Sequence, residues 1–221
     1  MKRFWILIGL LAIAWSLSAQ MPAFDRMDVF DLEWASDPQL SPDGSMVVYR
    51  RNGMDIMKDR KKGSLWLLDL ANGTHQKLTS REVSESSARW SPDGSRIAFN
   101  SSTNEGSEIY VYWVNTGKIA RLTQLASSPS GLSWSPSGTQ IAFSMKIPEK
   151  SPVLVSAPKK PKGAKWAPAP RVTTRLKHEQ DGQGFIEPGF YHFFVIPAEG
   201  GSPRQITSGD FFYRGTPQWT K

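Results

Sequence analysis

Short runs in which apolar and polar positions partly alternate recur along the chain, and each is bounded by a turn containing Gly or Pro. Met46-Val47-Val48-Tyr49, Arg96-Ile97-Ala98-Phe99 and Gln140-Ile141-Ala142-Phe143 form one set. Leu65-Trp66-Leu67-Leu68-Asp69-Leu70, Ile109-Tyr110-Val111-Tyr112-Trp113-Val114 and Phe193-Phe194-Val195-Ile196 form a second. Runs this short, rich in β-branched and aromatic residues, fit pleated, half-buried strands and not helices. Long helical periodicity is absent beyond residue 19.

The turns repeat with the strands. Ser41-Pro42-Asp43-Gly44, Ser91-Pro92-Asp93-Gly94 and Ser135-Pro136-Ser137-Gly138 each precede a run of the first set. Proline presets φ at the first corner, Asp suits the second, and Gly accepts the left-handed geometry that turns the chain back. Asn72-Gly73, Thr116-Gly117 and Gly200-Gly201 follow the second set and lead to Lys77-Leu78-Thr79, Arg121-Leu122-Thr123 and Gln205-Ile206-Thr207. The Ser residues at 41, 91 and 135 lie 50 and 44 positions apart, the length of a four-stranded propeller blade.

The pattern therefore predicts an all-β chain: a β-propeller fragment of three four-stranded blades plus the first strand of a fourth. Blade 1 is expected at about 34–79, blade 2 at about 86–123, blade 3 at about 130–207 and the start of blade 4 at about 215–221. The next aligned position after Ser135 is Thr220, 85 residues on, so an insertion is placed at 146–190 within blade 3. It opens with a Pro/Lys-rich tract from Ile147 to Pro170. Arg171 to Lys177 then alternates like a strand, and Asp181-Gly182-Gln183-Gly184-Phe185-Ile186 reads as a turn into another. These features predict a hairpin protruding from the face opposite the Ser-Pro-Asp-Gly turns, because successive hairpins of a blade point to opposite ends.

Nine Trp, eleven Phe and five Tyr suit the wedge between stacked sheets. The first nineteen residues read as a signal peptide: Lys2 and Arg3, an apolar run from Phe4 to Trp15, then Ser16-Leu17-Ser18-Ala19 before Gln20. That run is too short for a stable membrane span, so an exported, periplasmic or secreted protein is expected. The absence of cysteine excludes disulfides and a lipid-modified cleavage site. The net charge of +7 falls to +5 without Lys2 and Arg3. Much of it sits in Lys58-Asp59-Arg60-Lys61-Lys62 and in Lys159 to Lys165, both read as solvated loops between strands, and nucleic acid is not implied.

The residues that carry chemistry are sparse. Gly-x-Ser-x-Gly occurs nowhere, and Gly200-Gly201-Ser202-Pro203-Arg204 has Arg in place of the second Gly. His75, His178 and His192 read as surface or turn histidines with no triad context. No zinc-ligand spacing or phosphate loop is present, and Asn104-Glu105-Gly106 lacks the acidic alternation of a calcium loop. Asp28, Asp31 and Glu33 read as a solvated edge cap. No catalytic, cofactor-binding or metal-binding residue is assigned, and no cofactor is expected.

With these stretches in view, the chain resembles the WD-like propeller repeats of the prolyl oligopeptidase family, in its acylaminoacyl peptidase and dipeptidyl peptidase branch. Asp31 to Gly44, Arg171 to Phe185 and Gly200 to Asp210 carry the resemblance. It implies an exported serine peptidase in which a propeller screens short peptide substrates for a carboxy-terminal α/β-hydrolase domain. That domain is absent here, so the chain alone is expected to be inactive and, with two open sheet faces, marginal in stability. The repeats also resemble the Tol-type periplasmic propeller, a protein-binding scaffold, which stands as the alternative. A sugar-hydrolysing propeller is a third class, for which paired carboxylates are missing.

Overall fold

The computed structural model describes residues 24–103, 106–150, 158–167, 172–182 and 184–220. The expected signal peptide, residues 1–19, lies outside them, as do Asn104 and Glu105.

Three antiparallel four-stranded sheets follow one another along the chain. The first contains β1 (Trp34–Leu40), β2 (Met46–Asp55), β3 (Arg60–Asp69) and β4 (His75–Lys77) in sequence order. The second contains β5 (Glu85–Trp90), β6 (Arg96–Thr103), β7 (Gly106–Trp113) and β8 (Ile119–Arg121), again in order. The third contains β9 (Pro129–Trp134) and β10 (Gln140–Pro148), then β13 (Gly189–Pro197) and β14 (Arg204–Gln205). Between β10 and β13 stands a separate hairpin of β11 (Glu179–Gln180) and β12 (Gly184–Phe185). These sheets are propeller blades carrying an insertion in the third, and no sheet closes on itself.

The Ser-Pro-Asp-Gly turns have one geometry in three places. In each, the Gly N–H donates to the Ser carbonyl at 2.9 Å, and Gly44, Gly94 and Gly138 sit at φ 74, 71 and 69°. The Ser hydroxyl accepts from the first residue of the next strand, Met46, Arg96 or Gln140, at 2.9–3.0 Å. In the first two turns that hydroxyl donates to Asp43 or Asp93 at 2.6 Å. These bonds hold both carboxyls down at about 2. Ser137 replaces the Asp in the third turn and meets Ser135 at 3.1 Å.

Each inner strand carries a bulge at the same repeat position. Asp37, Ser87 and Gly131 have φ of 49, 57 and 62°, and the pairing register shifts beside each of them. Such bulges re-aim a strand and strengthen its twist. At Gly131 a side chain is also barred by space, since a Cβ would lie 2.4 Å from the Gly215 carbonyl oxygen.

The core lies between blades and not within one. Val48, Leu65, Leu67 and Leu78 of blade 1 pack with Ala88, Ile97, Phe99 and Tyr112 of blade 2. Ala98, Ile109 and Val111 point the other way, toward Leu132, Trp134, Ile141, Phe143 and Phe194 of blade 3. Period-2 alternation along β6 thus serves two interfaces, and Ile97, Ala98 and Phe99 are all fully buried. Arg89 of blade 2 crosses to Asp37 of blade 1 at 2.9 Å. After blade 3 the indole N–H of Trp219 reaches back to the Ser133 carbonyl at 3.3 Å, and residues 216–220 form no strand.

Three local expectations change. Arg60, Lys61 and Lys62 are not loop residues but the first residues of β3, because the β2–β3 ladder continues to the Asp55–Arg60 pair. The strand expected over Arg171–Lys177 is not formed among its described residues. Thr173 instead bonds the backbone of Arg175 in both directions, a local alternative to a ladder. Pairing of β10 with β13 extends through Lys146–Tyr191, Ile147–Phe190 and Pro148–Gly189, so the segment outside the blade begins after Pro148 and ends before Gly189.

Candidate functional site

The inserted hairpin leaves β10 at Pro148, at the far end from the Ser135–Gly138 turn that precedes Gln140. It returns against the same blade. Glu149 N–H donates to the Pro188 carbonyl at 3.1 Å, and Ile186 N–H donates to the His178 carbonyl at 2.8 Å. The chain after β14 then runs back beside β13, where Tyr213 N–H donates to Tyr191 and the Ser144 hydroxyl donates to the Tyr213 carbonyl at 3.1 Å. Hairpin, blade edge and returning segment enclose a cavity of about 600 Å³.

Its lining is basic and aromatic. Lys146, Arg175, Lys177 and Arg214 face Glu187 as the one lining carboxylate among the described residues. The arginines are held by rings: the Arg175 guanidinium lies 4.6 Å from the centre of Phe190, and that of Arg214 lies 4.7 Å from Phe212 and 5.0 Å from Tyr191. Phe190 and Phe212 pack on each other at 5.0 Å. Arg175 also pairs with Glu149 at 2.8 Å, whereas Arg214 makes no ion pair with a described residue. Lys146 donates to the Glu187 backbone carbonyl. Burial pushes the Lys146 ammonium below its usual range, opposed by Glu187 and reinforced by the charges of Arg175 and Arg214.

A second, more open cleft of about 950 Å³ lies between blades 1 and 2, lined by Arg51, Lys61, Lys62, Trp66 and Arg81 among others. Several of its cations are engaged. Arg51 pairs with Glu33, Lys77 with Glu82, and Arg81 bonds Ser101 and Tyr110 while lying 4.2 Å over the Tyr110 ring. The first cavity is the smaller and the more closed of the two, and it is the one that the insertion builds.

The histidines do not assemble into a catalytic group. His75 is exposed beside the Tyr49 hydroxyl at 3.1 Å, and His178 is exposed at the cavity rim with its ring 3.0 Å from the Leu176 carbonyl. His192 corrects the surface expectation: it is 5% exposed within β13, bonded to Thr207 at 3.3 Å and packed against Tyr213. Gly200–Arg204 spans the β13–β14 connection, a hairpin and not a strand-to-helix elbow. Asp28 completes a capping box with Asp25 on the short 3-10 helix Arg26–Phe30, Asp31 ends that helix, and Glu33 binds Arg51. No group of three or more His, Cys, Asp or Glu among the described residues is placed to hold a metal ion.

Two buried carboxylates escaped the sequence reading. Glu85 is fully buried and accepts from the Thr79 hydroxyl at 2.6 Å, while its Oε2 makes no hydrogen bond with a described residue. Glu108 accepts from Thr123 at 2.6 Å and from Leu125 N–H at 3.0 Å. Both lie within the blades and away from the hairpin cavity; the Leu-Thr that ends the first two repeats was the available signal. Among the described residues no helix is long and apolar enough to cross a membrane.

The chain is 30% identical over 89 residues to "Uncharacterized peptidase YuxL" of Bacillus subtilis, covering 40% of this chain and 13% of that protein. It is 33% identical over 78 residues to dipeptidyl-peptidase 5 of Porphyromonas gingivalis, covering 35% of this chain and 11% of that one. Its fold superposes on Pyrococcus horikoshii acylaminoacyl peptidase with a TM-score of 0.60 at 17% identity, over 80% of this chain and 25% of the other. It therefore spans a minor part of each of these proteins. Residues 35–149, just over half of the chain, match the family described as the TolB beta propeller domain, and the chain belongs to that family.

Proposed function

We propose that the chain is the substrate-admitting propeller of an exported serine peptidase of exopeptidase or oligopeptidase type, whose α/β-hydrolase domain belongs to the same polypeptide. The observation that carries this reading is that the two relatives matched at 30% and 33% identity, over 89 and 78 residues, are both peptidases by name. The basic, aromatic cavity suits a domain that selects peptides for chemistry performed elsewhere. Export rests on the charged, apolar and small-residue pattern of residues 2–19.

The test is hydrolysis of N-acylated and free dipeptidyl chromogenic substrates by the complete product of the gene, with a fluorophosphonate probe for a reactive serine. Turnover and labelling by that product, with neither from the 221-residue chain, are the expected results. A second reading, a non-enzymatic protein-binding scaffold, is favoured by the description of the family itself. Absence of turnover and labelling, together with stoichiometric recovery of an envelope protein, would establish it instead.

A further inference from the structure

We propose that the cavity between the inserted hairpin and blade 3 is a carboxylate-binding subsite for short peptides, with Arg214, Arg175 and Lys146 drawing in the anion. The aromatic wall of Tyr191 and Phe212 receives the adjacent apolar side chain. The inference deepens the proposed peptidase role by naming the class of peptide that the propeller admits.

The argument is one of charge and geometry. Four cations and one carboxylate line about 600 Å³ of partly enclosed space, and of the four Arg175 is already paired with Glu149; the charges of Arg175 and Arg214 disfavour that of Lys146, so an entering anion relieves this repulsion. A guanidinium stacked on a ring engages that ring with its face and leaves its edge N–H groups for an in-plane acceptor, and a carboxylate fits that fork. The Arg214 guanidinium lies over two rings, at 5.0 Å from the centre of Tyr191 and 4.7 Å from that of Phe212, with no carboxylate partner among the described residues. A phosphate would satisfy the charge equally. The rings beside the cations favour an anion joined to an apolar group, as at the end of a peptide.

The experiment measures binding of dansyl-Gly-Ala-Phe and of its carboxamide to the full chain by fluorescence. The free acid is expected to bind at least about tenfold tighter than the amide, as one charge-assisted contact confers. Raising the salt is expected to narrow that ratio. Arg214→Gln, and separately Lys146→Met, are expected to bring the ratio of acid to amide affinity toward one; a uniform weakening of both peptides that leaves the ratio intact would show a merely structural role and overturn the assignment of the anion to these residues. A third peptide, dansyl-Asp-Ala-Phe-amide, separates the sources of the anion. If it binds like the acid, the site reads side-chain carboxylates as well; if it binds like the amide, it reads the terminus alone. Equal affinity of acid and amide for the unsubstituted chain overturns the proposal whatever the variants do. Because this readout needs no hydrolysis, its failure is distinct from failure of the peptidase reading, which the complete gene product tests.

Discussion

The indole N–H of Trp134 donates to the backbone carbonyl of Arg89 at 2.9 Å, across the boundary between two blades. The same bond recurs one repeat back, from Trp90 to Gln39 at 3.0 Å, and one repeat forward, from Trp219 to Ser133 at 3.3 Å. Trp90 and Trp134 each precede the turn of a blade, and in all three bonds the acceptor lies two positions before the turn Ser of the blade before. The Trp of the repeat therefore fastens one inner strand to the next, using a carbonyl that a bulged inner strand leaves free.

Trp134→Phe keeps most of the ring and removes the donor, leaving the Arg89 carbonyl unpaired where Trp134 is 8% exposed. The expected loss is about 1–3 kcal/mol, read from urea denaturation. Trp219→Phe, at the longer and less buried bond, is expected to cost a smaller amount. Equal costs at the two positions would show that ring burial, and not the bond between blades, is what the Trp contributes.

Gly131→Ala places a Cβ on a residue at φ 62° and within 2.4 Å of the Gly215 carbonyl oxygen. Gly44→Ala meets a similar φ of 74° with nothing within 4 Å. The second change is expected to cost about 1–2 kcal/mol for left-handed backbone alone. The first adds a conflict between two chain segments and is expected to exceed it by a further 1–3 kcal/mol or so. A loss at Gly131 no larger than at Gly44 would mean that the segment at Gly215 yields freely and does not rest on blade 3.

Much of the architecture was legible because its signals are local. Ser-Pro-Asp-Gly and Asn-Gly dictate backbone dihedrals within four residues, and the alternation at Ile97-Ala98-Phe99 already distributes side chains to two faces. What the sequence withheld depends on contacts distant along the chain. Arg175 reads as one step of an alternating strand, yet its place is decided by Phe190 and Glu149, fifteen and twenty-six positions away, which pull the segment onto the blade. His192 reads as a surface or turn residue when weighed by residue type, yet by alternation it shares the buried face of β13 with Phe194 and Ile196, and the returning Tyr213 packs against it. The basic cavity draws on β10, the hairpin and the segment after β14. No spacing rule joins Lys146, Arg175 and Arg214.

Two carboxylates should titrate stability in opposite directions. Asp93 is held at about 2 by the Ser91 and Ser95 hydroxyls, below its ordinary 3.8. The unfolded chain therefore binds the proton first, and the contribution of Asp93, present above pH 4, is lost as pH falls toward 2. At this exposed site it amounts to under about 1 kcal/mol, and Asp93→Asn is expected to approach the parent chain only at the acid end. Glu85 behaves in reverse. Burial raises it above its ordinary 4.5, against the Thr79 hydroxyl, so the folded state keeps the proton longer and stability falls as pH climbs from 4.5 through the raised value. Glu85→Gln removes that fall. Urea midpoints at pH 4, 6 and 8 under constant salt should show the variant gaining on the parent as the pH rises from 4. A parent-minus-variant difference that stays level across those pH values would mean that Glu85 ionises in the folded state as readily as in the unfolded chain.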